Sequence, residues 1–389
     1  MKRLEFVLNI PSPYRVTLLE EVARQAAERG WAFEAHFMSH GHQDRPDSWR
    51  DPKMSFPHRY WRDWGRGTHH FNPGLLWHLL TTRIDAIYVG GAYDNFTSIF
   101  APFCLAWQGT TRCVGMEGNT KNVHGMNGVL GWFKRWALSH WQYAAVPGTE
   151  GRGYIALHQR LTKRRMPKVV ILPNLIDETR FVTADHYEAT ELQSVRTRMG
   201  ARAEDRLCVI PSRLSPEKGV LPFFRLLDRQ LIAGWHLTIL GKGVEEPEIR
   251  RLMAVGEYVD RVTILDYVPY EDMPKYYAAS DLMLLPSLRD QNPLAVVEAL
   301  QCGLPIALSD QAGNIDEAIS EGRNGWSLPI NDATAFAAKL KAVFSTSREQ
   351  LRKMGRISKM ENAAFWNSQR AVAAFLDAMG VGKGRKARQ

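Results

Sequence analysis

Short apolar runs alternate with stretches of helical periodicity along most of the chain. The first series predicts strands at residues 4–10, 33–38, 85–89, 112–116 and 143–146, with a helix at 16–27. After a break, a second series predicts strands at residues 207–210, 236–240, 262–265, 282–285 and 306–308. Its helical patterns are residues 220–231, 246–255 and 294–301, with a further helix from residue 273. Such alternation is typical of a parallel sheet with helices on both faces, and it occurs twice here.

The break between the two series predicts a domain boundary in a charged stretch that begins near residue 173. We therefore expect an α/β fold with one Rossmann-like domain at residues 1–172 and a second at residues 173–360. Residues 361–380 should form a further helix, followed by a basic tail at residues 381–389. Because open parallel sheets bind ligands outside the carboxyl ends of their strands, two such sheets should face a central cleft.

Composition places the chain among ordinary globular proteins. It has 389 residues, of which 45% are hydrophobic and 23% are charged, enough for two or three domains. Its four cysteines are scattered, which argues against a disulfide framework and a structural zinc site. No apolar run approaches the roughly 18 residues of a membrane span. Glu5 interrupts the first apolar run, so we interpret this run as a strand and not as a signal peptide. We therefore expect a cytoplasmic protein.

Positive charge and tryptophan are concentrated in the first half of the chain. Residues 1–172 hold 22 Lys and Arg against 13 Asp and Glu, whereas the remainder holds 28 of each. Nine of the 12 Trp residues also lie in residues 1–172. On a helix, Trp132, Phe133 and Trp136 would share a face flanked by Lys134 and Arg135, which favours docking on the inner face of an anionic membrane. The alternative is that this face packs into its own domain.

A basic motif lies between a strand and a helix of the second series. In Pro211-Ser212-Arg213-Leu214-Ser215-Pro216-Glu217-Lys218-Gly219, a turn would aim Arg213 and Lys218 at one point near a helix N-terminus. Two cations and backbone amides there suit a diphosphate. A surface turn with solvated basic residues is the alternative.

A second motif, Asp290-Gln291-Asn292-Pro293-Leu294-Ala295-Val296-Val297-Glu298-Ala299, follows the strand at residues 282–285. Eight residues of helix span about 12 Å, too far for two carboxylates to share a proton or a metal. The spacing suits two carboxylates that contact distant points on one ligand, such as a sugar hydroxyl and a ribose. Backbone amides at residues 292–294 could then bind the phosphates between those points. An acidic N-cap and an unrelated glutamate are the alternative. Gly241 and Gly243 end another strand and permit close backbone approach, to a ligand or in a plain turn.

Together these motifs resemble glycosyltransferase family 4. The resemblance in the second half is carried by Arg213, Lys218, the Asp290 and Glu298 pair, Asn292-Pro293-Leu294, Glu298-Ala299-Leu300 and Gly303-Leu304-Pro305. Pro11-Ser12-Pro13-Tyr14-Arg15, Glu117-Gly118-Asn119, Val146-Pro147-Gly148 and Leu172-Pro173-Asn174 are similar to a bacterial branch that makes cell-surface polysaccharides. The resemblance covers nearly the whole chain.

The resemblance implies a GT-B fold, with the helix at residues 361–380 crossing back to the N-terminal domain, and a retaining glycosyltransferase that uses a UDP- or GDP-sugar and no cofactor. The sequence has no Asp-x-Asp pair and no His/Cys cluster with metal-ligand spacing, so we expect a metal-free reaction. The resemblance also implies that the C-terminal domain binds this donor, while the N-terminal domain binds a glycan or lipid-linked acceptor. By the family pattern, Arg213 and Lys218 bind the diphosphate, Glu298 the ribose and Asp290 the donor sugar. Asn292, Pro293, Leu294, Gly241 and Gly243 would approach the phosphates or sugar, and Tyr267 and Val268 the base. We expect no nucleic-acid partner.

Two departures from the family pattern concern the N-terminal domain and one concerns the paired acids. Ser12-Pro13-Tyr14-Arg15 replaces a Gly-Gly loop, so Arg15 is a substitute contact to the diphosphate. Where many relatives carry a histidine near the reacting carbon, this chain offers Glu117, with His124 as the alternative. Ser12, Tyr14, Arg15, Gly91 and Asn119 complete the expected N-terminal contacts. Asp290 stands where the family commonly has Glu.

Two alternative functions are compatible with the same residues. A nucleotide-sugar 2-epimerase of GT-B fold would need acid and base groups near the sugar and no basic aromatic acceptor surface. A non-catalytic sugar-nucleotide-binding subunit would bind the donor without turnover.

Overall fold

The computed structural model describes residues 1–41, 52–65, 67, 69–91, 93, 95–121, 123 and 125–382. His124 and the basic tail beyond Gly382 lie outside these residues. The chain divides into two compact units: residues Met1–Ile176 with Asn367–Gln389, and residues Asp177–Trp366. We call them the first and the second unit. The predicted boundary at residues 172/173 lies four residues before the division between Ile176 and Asp177.

The first unit is built on a parallel sheet of seven strands in the order β3-β2-β1-β4-β5-β6-β7. Its strands are β1 (Lys2–Leu8), β2 (Trp31–Phe37), β3 (His58–Tyr60), β4 (Ala86–Gly90), β5 (Thr111–Gly115), β6 (Tyr143–Val146) and β7 (Lys168–Ile171). The helices between them are α1 (Pro13–Glu28), α2 (Pro73–Thr81), α3 (Phe96–Cys104), α4 (Gly128–Leu138) and α5 (Thr149–Arg160).

The second unit has a parallel sheet of six strands in the order β10-β9-β8-β11-β12-β13. Its strands are β8 (Arg206–Pro211), β9 (Trp235–Leu240), β10 (Val262–Leu265), β11 (Leu282–Leu285), β12 (Ile306–Ser309) and β13 (Gly325–Leu328). Its helices are α6 (Ala189–Arg198), α7 (Val220–Leu226), α8 (Glu246–Val255), α9 (Met273–Ala278), α10 (Leu294–Gln301), α11 (Ile315–Ala318), α12 (Ala333–Ser345) and α13 (Arg348–Phe365).

The last helix, α14 (Ser368–Ala378), belongs to the first unit and completes its core. Val372, Phe375 and Leu376 of α14 are buried in one cluster with Leu4 and Phe6 of β1. Helices α2 to α5 cover the opposite face of the sheet, where a second cluster contains Val7 and residues from each of these helices. Alternate residues of β1 therefore supply the two cores, as the period of a strand requires.

Several predicted elements differ from the structure. The helix predicted over residues 220–231 ends at Leu226, because Leu227 has the extended conformation. The single helix predicted over residues 361–380 is divided: α13 ends at Phe365, and Asn367 caps α14 by accepting a hydrogen bond from the Arg370 amide. Strands β3, β7 and β13, each at an edge of its sheet, were not predicted. Short edge strands carry little periodicity from which to identify them.

Candidate active site

The order in which successive strands are added to the second sheet reverses between the neighbouring strands β8 and β11. Strands β8, β9 and β10 follow one another toward one edge, and β11, β12 and β13 toward the other. At such a reversal the loops after the two central strands separate and leave a crevice at the carboxyl end of the sheet. The motif after β8 and the motif after β11 both lie at this crevice.

Lys218 and Asp290 meet there, although 72 residues separate them. Lys218 Nζ donates to Asp290 Oδ2 at 2.6 Å, and both side chains are mostly buried, with 19% and 12% of their surface exposed. The backbone amide of Gly313 donates to the Asp290 carbonyl at 3.0 Å, which fixes the loop from the side of β12. The structure thus joins a predicted diphosphate cation to the predicted sugar-binding acid.

Arg213 is not brought to the same point. Its guanidinium Nη2 lies 3.3 Å from Glu217 Oε1, and 72% of the side chain is exposed. Hydrogen bonds of the Glu217 carboxyl to Ser215 and its own backbone, with the nearby Arg213 and Lys218, lower its pKa. An ion pair this exposed is worth little and exchanges readily for a stronger anion. Arg213 therefore lies at the border of the crevice and is not held inside it.

Gly219 allows the chain to turn from Lys218 into α7. Its φ is +66°, in the left-handed region that favours glycine. A Cβ placed on Gly219 would lie 2.1 Å from the Pro286 carbonyl oxygen at the end of β11. Glycine is therefore required twice at this position, for the turn and for the contact between the two loops.

Glu298 lies farther along α10 and is held from a neighbouring helix. It is 3% exposed, and its Oε2 accepts a hydrogen bond of 2.8 Å from the hydroxyl of Tyr277 on α9. Tyr277 is completely buried. Glu298 and Asp290 thus have different partners at two separate points. Tyr277 was not anticipated from the sequence, because it lies 21 residues away on another helix and no local spacing connects the two.

The segment before α10 contains buried polar atoms. Asn292 Oδ1, Ser287 Oγ and Asn314 Oδ1 are buried and have no hydrogen-bond partner among the described residues. Asn314 Nδ2 donates to the Pro293 carbonyl at 3.1 Å, so this amide fixes the start of α10, whose first residue is Leu294. Buried polar atoms are normally satisfied, and those left over at a crevice are candidates for ligand contacts. Neither Ser287 nor Asn314 had been singled out in the sequence.

The two glycines after β9 face another loop of the protein. A Cβ on Gly241 would lie 2.4 Å from the Ser212 carbonyl oxygen, and one on Gly243 would lie 2.2 Å from that of Leu214. The amide of Leu214 also donates to the Lys242 carbonyl at 3.1 Å. The close approach permitted by these glycines is therefore to the β8 loop, which they hold in place.

Tyr267 and Val268 follow β10 at the same edge of the sheet. The amide of Gly241 donates to the carbonyl of Leu265 at 2.8 Å, which joins the ends of β9 and β10. Tyr267 is 57% exposed and Val268 is partly exposed. An exposed ring at the carboxyl edge is available for a planar ligand group.

In the first unit, the predicted contacts gather at its own reversal point, between β1 and β4. Ser12, Tyr14 and Arg15 lie at the junction of β1 and α1, where the Ser12 carbonyl accepts from the Arg15 amide at 2.9 Å. Gly91 follows β4 with φ of +82°. Asn119 is buried in the loop after β5.

Glu117 lies in that same loop and is exposed. Lys121 pairs with Glu150 at 3.5 Å, and Arg135 donates to the Met126 carbonyl at 2.7 Å. Neither cation pairs with Glu117 within the described part of the chain.

Glu5, His36 and His78 form a buried cluster whose potential ligand atoms lie within 4.8 Å of one another. The Trp61 indole donates to His36 Nδ1 at 3.1 Å, so the ring proton of neutral His36 is on Nε2, 3.0 Å from Glu5 Oε2. A metal on Nε2 would move that proton to Nδ1, opposite the indole N–H. Arg3 Nε also donates to Glu5 at 2.5 Å. The geometry is that of a hydrogen-bonded ion cluster and does not fit a metal centre.

The cluster keeps its carboxylate charged. Burial alone would raise the pKa of Glu5, but hydrogen bonds from His36 and His78 outweigh it and hold the pKa at about 2. Glu5 thus acts as a fixed negative charge beneath β2 and the loop after β3.

Comparison with known proteins identifies the segment that contains the second-unit site. Residues 194–360 match the family model described as glycosyl transferases group 1. The chain is 34% identical over 139 residues to the amylovoran biosynthesis glycosyltransferase AmsK of Erwinia amylovora, an alignment covering 33% of each chain. It is 30% identical over 138 residues to the putative colanic acid biosynthesis glycosyltransferase WcaL of Salmonella typhimurium, covering 33% of this chain and 34% of the relative. Each alignment thus spans about a third of the relative's length.

Solved structures extend the likeness to the whole fold. The crystal structure of Anabaena Alr3699/HepE in complex with UDP superposes with a TM-score of 0.72 at 15% identity, covering 97% of this chain and 100% of that one. At this identity the likeness establishes the fold alone. The chain has a GT-B fold, and its residues 194–360 match the model of the glycosyl transferases group 1 family.

Proposed function

We propose that the chain is a retaining glycosyltransferase that moves a sugar from a UDP- or GDP-sugar to a glycan or lipid-linked acceptor during synthesis of a surface polysaccharide. The observation that carries the proposal is the meeting of Lys218 and Asp290 at the reversal point of the second sheet, with Glu298 farther along α10. This crevice lies in the segment that matches the group 1 family.

Charge develops on the leaving diphosphate as the bond to the sugar breaks. Lys218 and the amides at the start of α10 would stabilise that charge, and Arg213 would leave its exposed Glu217 partner to join them. Asp290 holds the Lys218 ammonium before the donor arrives, so the cation is oriented in advance. The Asp290 carboxylate remains available to a sugar hydroxyl.

The rest of the donor has matching partners. Glu298 would accept hydrogen bonds from the ribose hydroxyls, with Tyr277 fixing the carboxylate. Asn292 and Asn314 offer buried acceptor oxygens, and Ser287 a hydroxyl, to the donor sugar. Structures of Anabaena Alr3699/HepE carry UDP-glucose or UDP and glucose, which favours a uridine donor for the related crevice here.

The family resemblance further implies retention of configuration at the reacting carbon. In that chemistry the acceptor hydroxyl attacks on the face that the leaving phosphate vacates, and a phosphate oxygen takes its proton. Lys218 would stabilise the negative charge that the diphosphate gains as its bond to the sugar breaks. Both relatives are named as glycosyltransferases, which favours transfer over the epimerase and the binding-subunit alternatives.

The donor site is tested by titration and turnover. Lys218→Ala should weaken UDP binding about 10- to 100-fold, the range for a lost charge-assisted hydrogen bond of about 1.5–3 kcal/mol. That change also leaves the Asp290 carboxylate unpaired, and the unpaired carboxylate would itself repel the diphosphate. The double variant Lys218→Ala with Asp290→Ala removes both groups and so separates loss of the cation from this repulsion. Arg229→Ala, which removes an exposed ion pair with Asp260 in the same unit, is the matched control. Unchanged UDP affinity in both Lys218 variants would refute the assignment.

Incubation of the donor without an acceptor distinguishes the alternatives. A transferase leaves most of the donor sugar unaltered, whereas an epimerase converts it to the 2-epimer. Binding with no turnover under any acceptor would support the non-catalytic subunit. Thermal shifts with UDP-, GDP- and ADP-sugars identify the base, since stabilisation rises with the ratio of ligand concentration to dissociation constant.

We also propose that the first unit docks on an anionic membrane surface through α3 and α4. Phe100, Phe103, Trp107, Leu130 and Trp132 form what we call the aromatic surface, with 41–65% of each residue exposed. The rings of Phe103 and Trp136 stack at 5.7 Å, so the two helices are adjacent. Trp136 and Phe133 are half-buried in this contact, while Trp132 stays exposed.

Charge around the aromatic surface matches such a partner. Residues 96–172 contain ten Lys and Arg against two Asp and Glu. Basic side chains attract anionic headgroups, while Trp and Phe insert at the headgroup level. Among the described residues, the structure contains no helix long and apolar enough to span a bilayer.

Flotation with vesicles tests the docking. Phe100→Ser with Trp132→Ser should abolish co-flotation with phosphatidylglycerol vesicles, while Val259→Ser, an equally exposed apolar site in the second unit, should not. Binding should also weaken with salt, because screening reduces headgroup attraction. Equal flotation of the double variant and the wild type would contradict the proposal.

A further inference from the structure

We propose that an aromatic cavity in the first unit binds an anionic sugar residue of the acceptor. The inference rests on the proposed transfer function and names a binding site for its second substrate. The cavity has a volume of about 390 Å³. Its lining includes Ser39, His40, Tyr60, Trp61, Arg62 and Asp63.

The cavity lies where the topology places ligands. Strands β2 and β3 pair in parallel and end at Phe37 and Tyr60, so the lining residues follow the carboxyl ends of two neighbouring strands. Ligands of open parallel sheets bind outside this edge. Its volume is in the range of small-molecule sites, about 300–1,000 Å³.

The lining has the chemistry of a sugar site. The rings of His40 and Tyr60 stack at 4.0 Å with planes only 7° apart, and Trp61 adds a third ring. A pyranose presents an apolar face of C–H groups that packs on flat rings, while its edge presents hydroxyls. Ser39 and Arg62 lie at the cavity to meet that polar edge. A few polar groups among aromatic ones give such a site its orientation and specificity.

Arg62 determines the expected charge of the sugar. It is exposed, its guanidinium lies 5.8 Å from the centre of the Trp64 ring, and it forms no ion pair with any described residue. The neighbouring Asp63 is already occupied, since its carboxylate accepts from the amides of Gly65 and Phe71 and contacts the His70 ring. An incoming ligand therefore meets the guanidinium without competition from this carboxylate. A carboxylate or phosphate on the sugar would make a charge-assisted hydrogen bond to Arg62.

Buried polar contacts hold the cavity wall in place before a ligand arrives. Trp61 donates its indole N–H to His36, and His36 in turn donates to the charged Glu5. Asn72 Nδ2 donates to the carbonyls of Met38 at 2.9 Å and Arg62 at 3.1 Å, which ties the loop after β2 to the loop after β3. Supporting contacts of this kind reduce the cost of ordering a site on binding.

Saturation-transfer NMR on the full chain tests the cavity with methyl β-glucuronide and methyl β-glucoside. We expect both sugars to bind the wild type, with glucuronide the tighter. Arg62→Gln should weaken glucuronide at least fivefold and leave glucoside unchanged, while His40→Ala should weaken both. Arg24→Gln, on the exposed side of α1, is the control and should behave as the wild type.

UDP titration of the same variants separates this proposal from the donor site. If UDP binds all variants equally while the sugars respond as expected, the cavity is an acceptor subsite. If UDP binds but the sugar signals do not depend on His40 and Arg62, the cavity proposal is refuted and the donor site stands. Displacement of glucuronide from the cavity by UDP would show a nucleotide site and also refute it. If UDP binds nowhere, the proposed function fails whatever the sugar signals show.

Discussion

The hydrogen bond from Tyr277 to Glu298 offers a sharp test of how the site is supported. Tyr277→Phe removes a hydroxyl without changing the buried ring, and it deprives the nearly buried carboxyl of a donor at 2.8 Å. A hydrogen bond to a charged group contributes about 1.5–3 kcal/mol. For a unit of this size, each kcal/mol lowers Tm by about 2–4 °C, so we expect a loss of about 3–12 °C.

The same change should weaken nucleotide binding. Without the hydroxyl, the Glu298 side chain must be ordered when the ribose binds, at a cost of about 0.5–1.5 kcal/mol. The dissociation constant for UDP should therefore rise by about two- to tenfold. Tyr258→Phe is the matched control, because it removes another buried hydroxyl, bonded to the Leu227 carbonyl at 2.5 Å, from the same unit. It should lower Tm without changing UDP affinity.

A double-mutant cycle completes the measurement. Thermal unfolding and UDP titration are compared for Tyr277→Phe, Glu298→Gln and the double variant. Because the two groups share one bond, their losses in stability should sum to more than the loss in the double variant. Strict additivity, or a Tyr277→Phe protein that melts with the wild type, would refute the reasoning.

Three further outcomes follow from the structure. Gly219→Ala should destabilise the chain by more than about 1 kcal/mol and weaken UDP binding, because it forces a left-handed residue against Pro286; equal denaturant midpoints for variant and wild type would contradict this. Burial, with nearby cations, lowers the pKa of His158 to about 4, so the neutral ring is favoured in the fold. Stability should then fall by up to about 3 kcal/mol as pH decreases from 6.5 to 4, since the unfolded chain takes up the proton first; His158→Phe should flatten that decline in urea titrations at each pH. Asn367→Ala should cost about 1 kcal/mol by removing the cap of α14; thermal melts would show it, and an unchanged Tm would argue against the cap.

The pattern of apolar positions predicted the central strands of both sheets well, for a physical reason. Strands β6 and β11 match their predicted bounds because each is a wholly apolar run that follows a polar residue. Strand β3, His-Arg-Tyr, has no such run and is recognised only through its pairing with β2. Pairing between distant segments leaves no signal in a single local window.

The candidate site was predictable residue by residue but not contact by contact. Lys218 and Asp290 were identified as separate ligand contacts, yet their direct pairing depends on the adjacency of β8 and β11 in the sheet. The supporting residues Tyr277 and Asn314 come from other elements and have no motif of their own. The spacing of a motif indicates which side chains could contact a ligand. The residues that hold those side chains in place are determined by tertiary packing.

The return of the chain to the first unit has a consequence for how the protein folds while it is made on the ribosome. The ribosome must finish all of Asp177–Trp366 before it makes Phe375, which packs against Phe6 in the first unit. The second unit is continuous in sequence and can fold as soon as it emerges. Until α14 is made, the earlier segment leaves part of an apolar sheet face uncovered. A nascent chain of this topology is therefore exposed to aggregation and chaperone capture through its oldest part, and we expect truncation before residue 372 to yield insoluble protein.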